Sequence, residues 1–161
     1  MKVRVLGVDP GSRATGWALV VAEGNRYYLE STGVIRPRGA DRPRRLADLH
    51  HRLGELLQTL VPDTAAVESS FSGLNPKSGL ALAESRGVIL AALGEAGHEV
   101  RSYSPAEVKS AIVGTGRAEK QQVAYMVVRL LALQDRPPVD AADAIAVALT
   151  HVHCGGCKTT R

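Results

Sequence analysis

Four carboxylates lie where a fold could bring them together. Asp9 follows the apolar run Val3-Arg4-Val5-Leu6-Gly7-Val8 and precedes Pro10-Gly11. Glu68 ends a second short run, Thr64-Ala65-Ala66-Val67. Asp140 and Asp143 are three residues apart at the head of an Ala-rich segment, so they share one face if it is helical. Each acid has a bland explanation. An Asp before Pro-Gly initiates turns. Asp140 can be an N-cap and Asp143 a first-turn acid favoured by the helix dipole. Taken together they point to chemistry. Clustered carboxylates repel one another and resist ionisation. Hard divalent cations with oxygen ligands, Mg²⁺ or Mn²⁺, suit such a cluster near neutral pH. Two ions a few ångströms apart would stabilise both the attacking and the leaving oxygen of a phosphodiester displacement.

These acids must be positioned by regular elements. The first run is rich in β-branched residues and reads as a strand buried on both faces. Ligand crevices in α/β sheets open at the carboxyl ends of strands, where Asp9 and Glu68 both fall. Thr15 to Val21 and Arg26 to Ile35 read as two further strands joined by a Glu23-Gly24-Asn25 turn. Asp41 with Pro43 opens a helix whose Leu46, Leu49, Leu53, Leu56, Leu57 and Leu60 form one stripe. A polar loop is expected from Ser69 to Lys77, then a helix from Ser78 to Leu93, a strand from Glu99 to Tyr103 and a short helix capped by Ser104-Pro105. Gly114-Thr115-Gly116 links to a helix over Glu119 to Leu133. Pro137-Pro138 precedes the last helix, Asp140 to His151. The predicted order is β-β-β-α-β-α-β-α-α-α, in one domain over residues 1–153 with a C-terminal tail at 154–161.

Composition fits that frame. The 161 residues are 45% hydrophobic, 22% charged and 4% aromatic, with a net charge of +4. One globular domain is expected, with a core of Val, Leu, Ile and Ala. The charge permits a polyanionic partner without requiring one. No stretch is long enough to span a membrane, and Met1-Lys2-Val3 begins a strand, so the cytoplasm is the expected location. Arg42, Arg44 and Arg45 crowd a helix N-terminus, where the dipole disfavours cations; a phosphate-bearing partner or a plain solvated face would account for them. Arg117, beside the glycine link, could reach a phosphate, and Lys77 is a cation at the end of the polar loop. Phe71, the single Phe, either anchors that loop or stacks on an unpaired base. His151, His153, Cys154 and Cys157 could suggest zinc but are too crowded for an ordinary structural site, and a reduced, frayed tail is the favoured reading.

Five motifs in order, Gly7-Val8-Asp9-Pro10-Gly11, Val67-Glu68-Ser69-Ser70-Phe71, Ser104-Pro105 with Val108-Lys109, Gly116-Arg117-Ala118-Glu119-Lys120 and Asp140-Ala141-Ala142-Asp143-Ala144, make the chain resemble the RuvC-type Holliday-junction resolvases. The resemblance runs to about His153. It implies an α/β, ribonuclease H-like mixed five-stranded sheet flanked by helices. It also implies a homodimer that cuts four-way DNA junctions with Mg²⁺, two ions per site, and works with the RuvA–RuvB branch-migration complex. By the same resemblance Asp9, Glu68, Asp140 and Asp143 are the metal-binding acids, Lys109 and Lys120 lie near the scissile phosphate, and Phe71 stacks. An ammonium there would neutralise phosphate charge; a surface lysine is the bland alternative. In the helix from Ser78, Leu80, Leu82, Ile89 and Leu93 are candidates for the dimer interface or for the monomer's own core.

Three rivals remain open. One is a phosphate-handling domain of the actin and sugar-kinase type, although those use two such domains around a nucleotide. Another is a nuclease of the same fold acting on a hybrid or ordinary duplex. The third is a junction-binding module without activity, which the complete acid set argues against.

Overall fold

Strand β1 (Lys2–Asp9) alternates between two layers. Val5 packs into one core cluster, and Leu6 and Val8 into another on the opposite face. A central strand covered on both sides must be apolar in both registers. In the computed structural model, which describes residues 1–69 and 75–155, β1 is the middle of a five-stranded sheet. β2 (Thr15–Glu23) pairs antiparallel with it, and β3 (Arg26–Ile35) antiparallel with β2. On the other side β4 (Thr64–Glu68) runs parallel to β1, and β5 (Val100–Tyr103) parallel to β4. The order is β3-β2-β1-β4-β5, the mixed sheet that the resemblance implied.

Helices cover both faces. α1 (Arg42–Leu60) and α2 (Pro76–Glu95) pack Leu49, Leu53, Leu57, Ile89 and Leu93 against Leu6, Val8 and Leu19. α5 (Val139–His153) lies on the opposite face, with α3 (Pro105–Val113) and α4 (Lys120–Leu130) beside it. Two glycines let α5 approach closely. A Cβ on Gly7 would overlap Ala144 and Ala148, and one on Gly16 would overlap the Asp140 carbonyl. The far end of α5 is pinned by a buried imidazole: the Thr64 hydroxyl lies 3.1 Å from His151 Nε2 and the Tyr103 hydroxyl 3.0 Å from Nδ1. Burial there holds the His151 pKa below its ordinary value.

The start of α1 is as expected: the Asp41 carboxylate accepts from the Arg44 backbone N–H at 2.9 Å. Other boundaries shift. α2 begins at Pro76, because the Asn75 side chain accepts from the Ser78 N–H and Pro suits the first helical position. Lys77 is therefore helical and not part of the loop. α4 stops at Leu130, short of Leu133, and Ala132 takes a left-handed φ of 49°. α5 is preceded by Pro138 as its N-cap with no side-chain capping bond, so Asp140 is not an N-cap. Of the four apolar candidates on α2, Ile89 and Leu93 are fully buried in the monomer core, which removes them from any interface; Leu80 is 63% exposed. Among the described residues no helix is long and apolar enough to cross a membrane. Phe71 and Cys157 lie outside the described residues.

Candidate active site

The sheet register places two of the acids. Val8 of β1 is aligned with Val67 of β4, so Asp9 and Glu68 leave their strands side by side. Alternation puts both on the α5 face: Val5 and Ala66, an even number of residues before them, pack into the cluster that α5 completes. Asp9 also pairs with Gly16, whose missing side chain admits the first turn of α5. That turn carries Asp140, and Asp143 follows one turn later on the same face. Alternation, parallel pairing and glycine close approach thus bring three acids from distant sequence positions to one crevice.

The crevice has a volume of about 190 Å³ and is lined by Asp9, Glu68 and Asp143 with Lys109 of α3 and Lys120 of α4. Pro10, Pro105, Leu82 and Val108 form its apolar walls. The Ser104-Pro105 start of α3 orients Lys109. There Ser104 and Glu107 form a reciprocal capping box, with the Glu107 carboxylate accepting from the Ser104 N–H at 2.7 Å. Lys120 opens α4 and reaches the site from outside; its ammonium lies 3.5 Å from Asp143 Oδ2 while its side chain stays 79% exposed.

The electrostatics are those of a cluster in which negative charge outweighs positive. Burial, then the charges of Glu68 and Asp143, push the Asp9 carboxyl up from 3.8 to about 8. Burial and Asp143 raise Glu68, opposed by Lys120 and Lys109. Asp143 is raised by burial and by Asp140, and held back by Lys120. Asp140 does not line the crevice; it acts on Asp9 and Asp143 through its charge. Among the described residues no three His, Cys, Asp or Glu side chains form a ready-made metal cage. The donor set is still all oxygen, acidic and short of positive charge, which fits hard divalent cations.

Linkage makes this testable. Between 3.8 and about 8 the folded state keeps a proton on Asp9 that the unfolded chain has released. Folding stability therefore falls as pH rises through that window. A cation that binds the ionised cluster stabilises the fold and competes with the proton. Mg²⁺ or Mn²⁺ should raise Tm more at pH 8 than at pH 5. An equal shift at both pH values, or none at either, would contradict the placement of the ion at Asp9.

The other expected residues separate. Arg117 is exposed in the turn before α4 and does not line the crevice. Lys77 lines a different depression on the other side of α2. Pro10 and Pro105 fall inside the motifs but were not expected as walls, and Leu82 was expected in an interface or the core.

Known proteins resemble this chain over nearly its whole length. The family described as crossover junction endodeoxyribonuclease RuvC matches residues 5–151. A crossover junction endodeoxyribonuclease RuvC of Azorhizobium caulinodans is 44% identical over 160 residues, covering 99% of this chain and 95% of that protein. The Thermus thermophilus RuvC structure superposes with a TM-score of 0.87 at 34% identity, covering 99% and 98% of the two chains. The T. thermophilus RuvC in complex with Holliday junction substrate also gives 0.87, at 33% identity and 94% coverage of each chain. The fold is ribonuclease H-like, and the chain belongs to the RuvC family of crossover junction endodeoxyribonucleases.

Proposed function

We propose that this protein is an endonuclease that resolves four-way DNA junctions by paired symmetric nicks in strands of like polarity, during recombination and repair. One observation carries the reading: three acids and two lysines from five separate elements meet in one crevice at the strand ends. RuvC family nucleases are divalent-metal dependent in general. In this chain Asp9, Glu68, Asp140 and Asp143 would hold the metal, Mg²⁺ with Mn²⁺ as a substitute, two ions per site. When bound, the ions supply charge stabilisation to the attacking and leaving oxygens of the hydrolysed phosphodiester.

The chain's own groups do the rest. Asp9 and Glu68, fixed on adjacent strands, set where the cations, and with them the scissile phosphate, would sit. Lys109 and Lys120 neutralise its charge and the charge that develops as the ester bond breaks. Lys120 is exposed and tethered only to Asp143 among the described carboxylates, so it can turn to a phosphate without loss of fold. The apolar walls thin the water around these charges and strengthen their interaction. Phe71, three residues beyond Glu68, stacks on a base unpaired at the crossover, and Arg117 and Lys77 contact backbone outside the crevice. Residues 1–153 form the nuclease domain, with 154–161 a dispensable tail. The enzyme works in the cytoplasm as a homodimer, in company with the RuvA–RuvB branch-migration complex.

A dimer follows because the described residues of each chain hold one acid crevice and a junction needs two nicks. Two-fold symmetry presents the same centre twice. A supercoiled plasmid carrying a cruciform tests this, because the first nick releases the supercoiling that holds the junction. Coupled nicking should yield mainly linear product, and sedimentation should give about twice the 17.1 kDa chain mass. Nicked circles as the dominant end product, or a monomer on DNA, would contradict the symmetric mechanism.

A further inference from the structure

A trough of about 960 Å³ lies on the other side of α2 from the acid crevice, lined by Ser12, Arg13, Arg42, Arg45, Lys77 and Glu84. It starts where the chain leaves Asp9: Ser12 and Arg13 belong to the turn between β1 and β2. The first turns of α2 separate the two depressions. Leu82 faces the acid crevice, while Leu80, Ala81 and Glu84 face the trough.

The cations in the trough divide by role. Arg42 is fully committed to structure. Its Nε donates to Glu84 at 2.8 Å, Nη1 to the Ser12 carbonyl at 3.0 Å, and Nη2 to Ser85 Oγ at 3.0 Å and to the Ala81 carbonyl. This one guanidinium ties the β1–β2 turn to α2 and builds the floor, and Glu84 cancels its charge. Arg13, Arg45 and Lys77 come from three different elements and have no carboxylate partner among the described residues. Arg44, the third arginine of the α1 cluster, is neutralised by Asp41 at 3.0 Å. Among the described residues the one carboxylate lining the trough is therefore spent on Arg42, and three uncompensated positive charges remain around an open channel.

We infer that this trough is a second DNA contact, holding the sugar-phosphate backbone that flanks the phosphate in the acid crevice. The inference rests on the junction-cutting function proposed above and extends it to residues outside the reacting centre. The lining selects the ligand class. Uncompensated cations suit phosphates. Contacts of this kind fix register and contribute affinity without reading sequence. They also give a use to the α1 arginine cluster, which works against its own helix dipole.

Salt dependence tests the inference. Each lost phosphate contact lowers the slope of log K against log salt by about 0.9. Binding of a labelled four-way junction would be measured from low to moderate salt for the wild type, for Arg13→Gln/Arg45→Gln, and for Arg13→Lys/Arg45→Lys. The Gln variant should lose roughly two units of slope and roughly ten- to a hundred-fold in affinity near 0.1 M salt. The Lys variant, with charge retained, should keep the wild-type slope, which excludes misfolding as the cause. Hydroxyl-radical footprints should show protection lost on the flanking backbone and kept at the cleavage point. A Gln variant with the wild-type slope, beside a wild type that binds and cuts junctions, would overturn the trough alone. A wild type that binds no DNA would overturn both the trough and the function on which it rests.

Discussion

Asp9→Asn should abolish junction cutting, by at least roughly 10³-fold in the single-turnover rate, while junction binding stays intact or tightens. The amide keeps the size of the side chain and removes its charge. Asp9 is the most strongly perturbed acid, pushed up to about 8 by burial and by its acidic neighbours. Losing that charge relieves repulsion toward Glu68 and Asp143 and toward the DNA backbone. It also removes the donor that both strand pairing and helix approach aim into the crevice. The same variant should therefore be more stable than the wild type near pH 8 without added metal, and should lose most of the metal-dependent rise in Tm. Full cutting by Asp9→Asn in Mg²⁺ would refute the site. A variant that is inactive only because its Tm has collapsed would show a structural role instead.

Lys120→Ala should cost roughly 10²-fold in single-turnover rate, with little effect on Tm. Its side chain is 79% exposed and makes one ion pair, to Asp143, so little packing is lost. Its electrostatic reach is wider. Lys120 lowers the pKa values of Asp9, Glu68 and Asp143 alike. Its removal raises all three, so the residual activity should need a higher pH than the wild type. Lys120→Arg keeps the charge and should recover part of the rate and the wild-type pH profile. A rate loss with an unmoved pH profile would mean that Lys120 acts on the substrate alone. An unchanged rate would make it a surface lysine.

How much of this was legible in the sequence depends on the range of the interaction. Asp9 and Glu68 were legible because each ends an apolar run, and two buried parallel strands bring their ends together. The face on which they emerge also follows from alternation. The part played by Gly7 and Gly16 was not legible, since it depends on which helix lies over them. Asp140 and Asp143 read as equivalent on one face, yet only Asp143 lines the crevice, a difference that their spacing alone cannot show. Ile89 and Leu93 looked like interface candidates because an apolar residue on an Ala-rich helix fits either a core or a partner, and the sheet claimed them. The arginine cluster at the start of α1 was visible as an oddity. Its division into Arg42 as a strut, Arg44 as a local pair and Arg45 as an uncompensated charge required the packing of α2 and the β1–β2 turn. Phe71 rests on its sequence position alone.

The central claim is that the acid crevice cuts four-way junctions. A synthetic four-way DNA junction with each strand labelled in turn, incubated with and without Mg²⁺ beside a linear duplex of the same sequence, tests it most directly. The account predicts nicks at symmetric positions in two strands of like polarity, in Mg²⁺ only, with the linear duplex left intact. Cutting that persists in a chelator, equal cutting of the linear duplex, or binding of the junction without any cutting would contradict it.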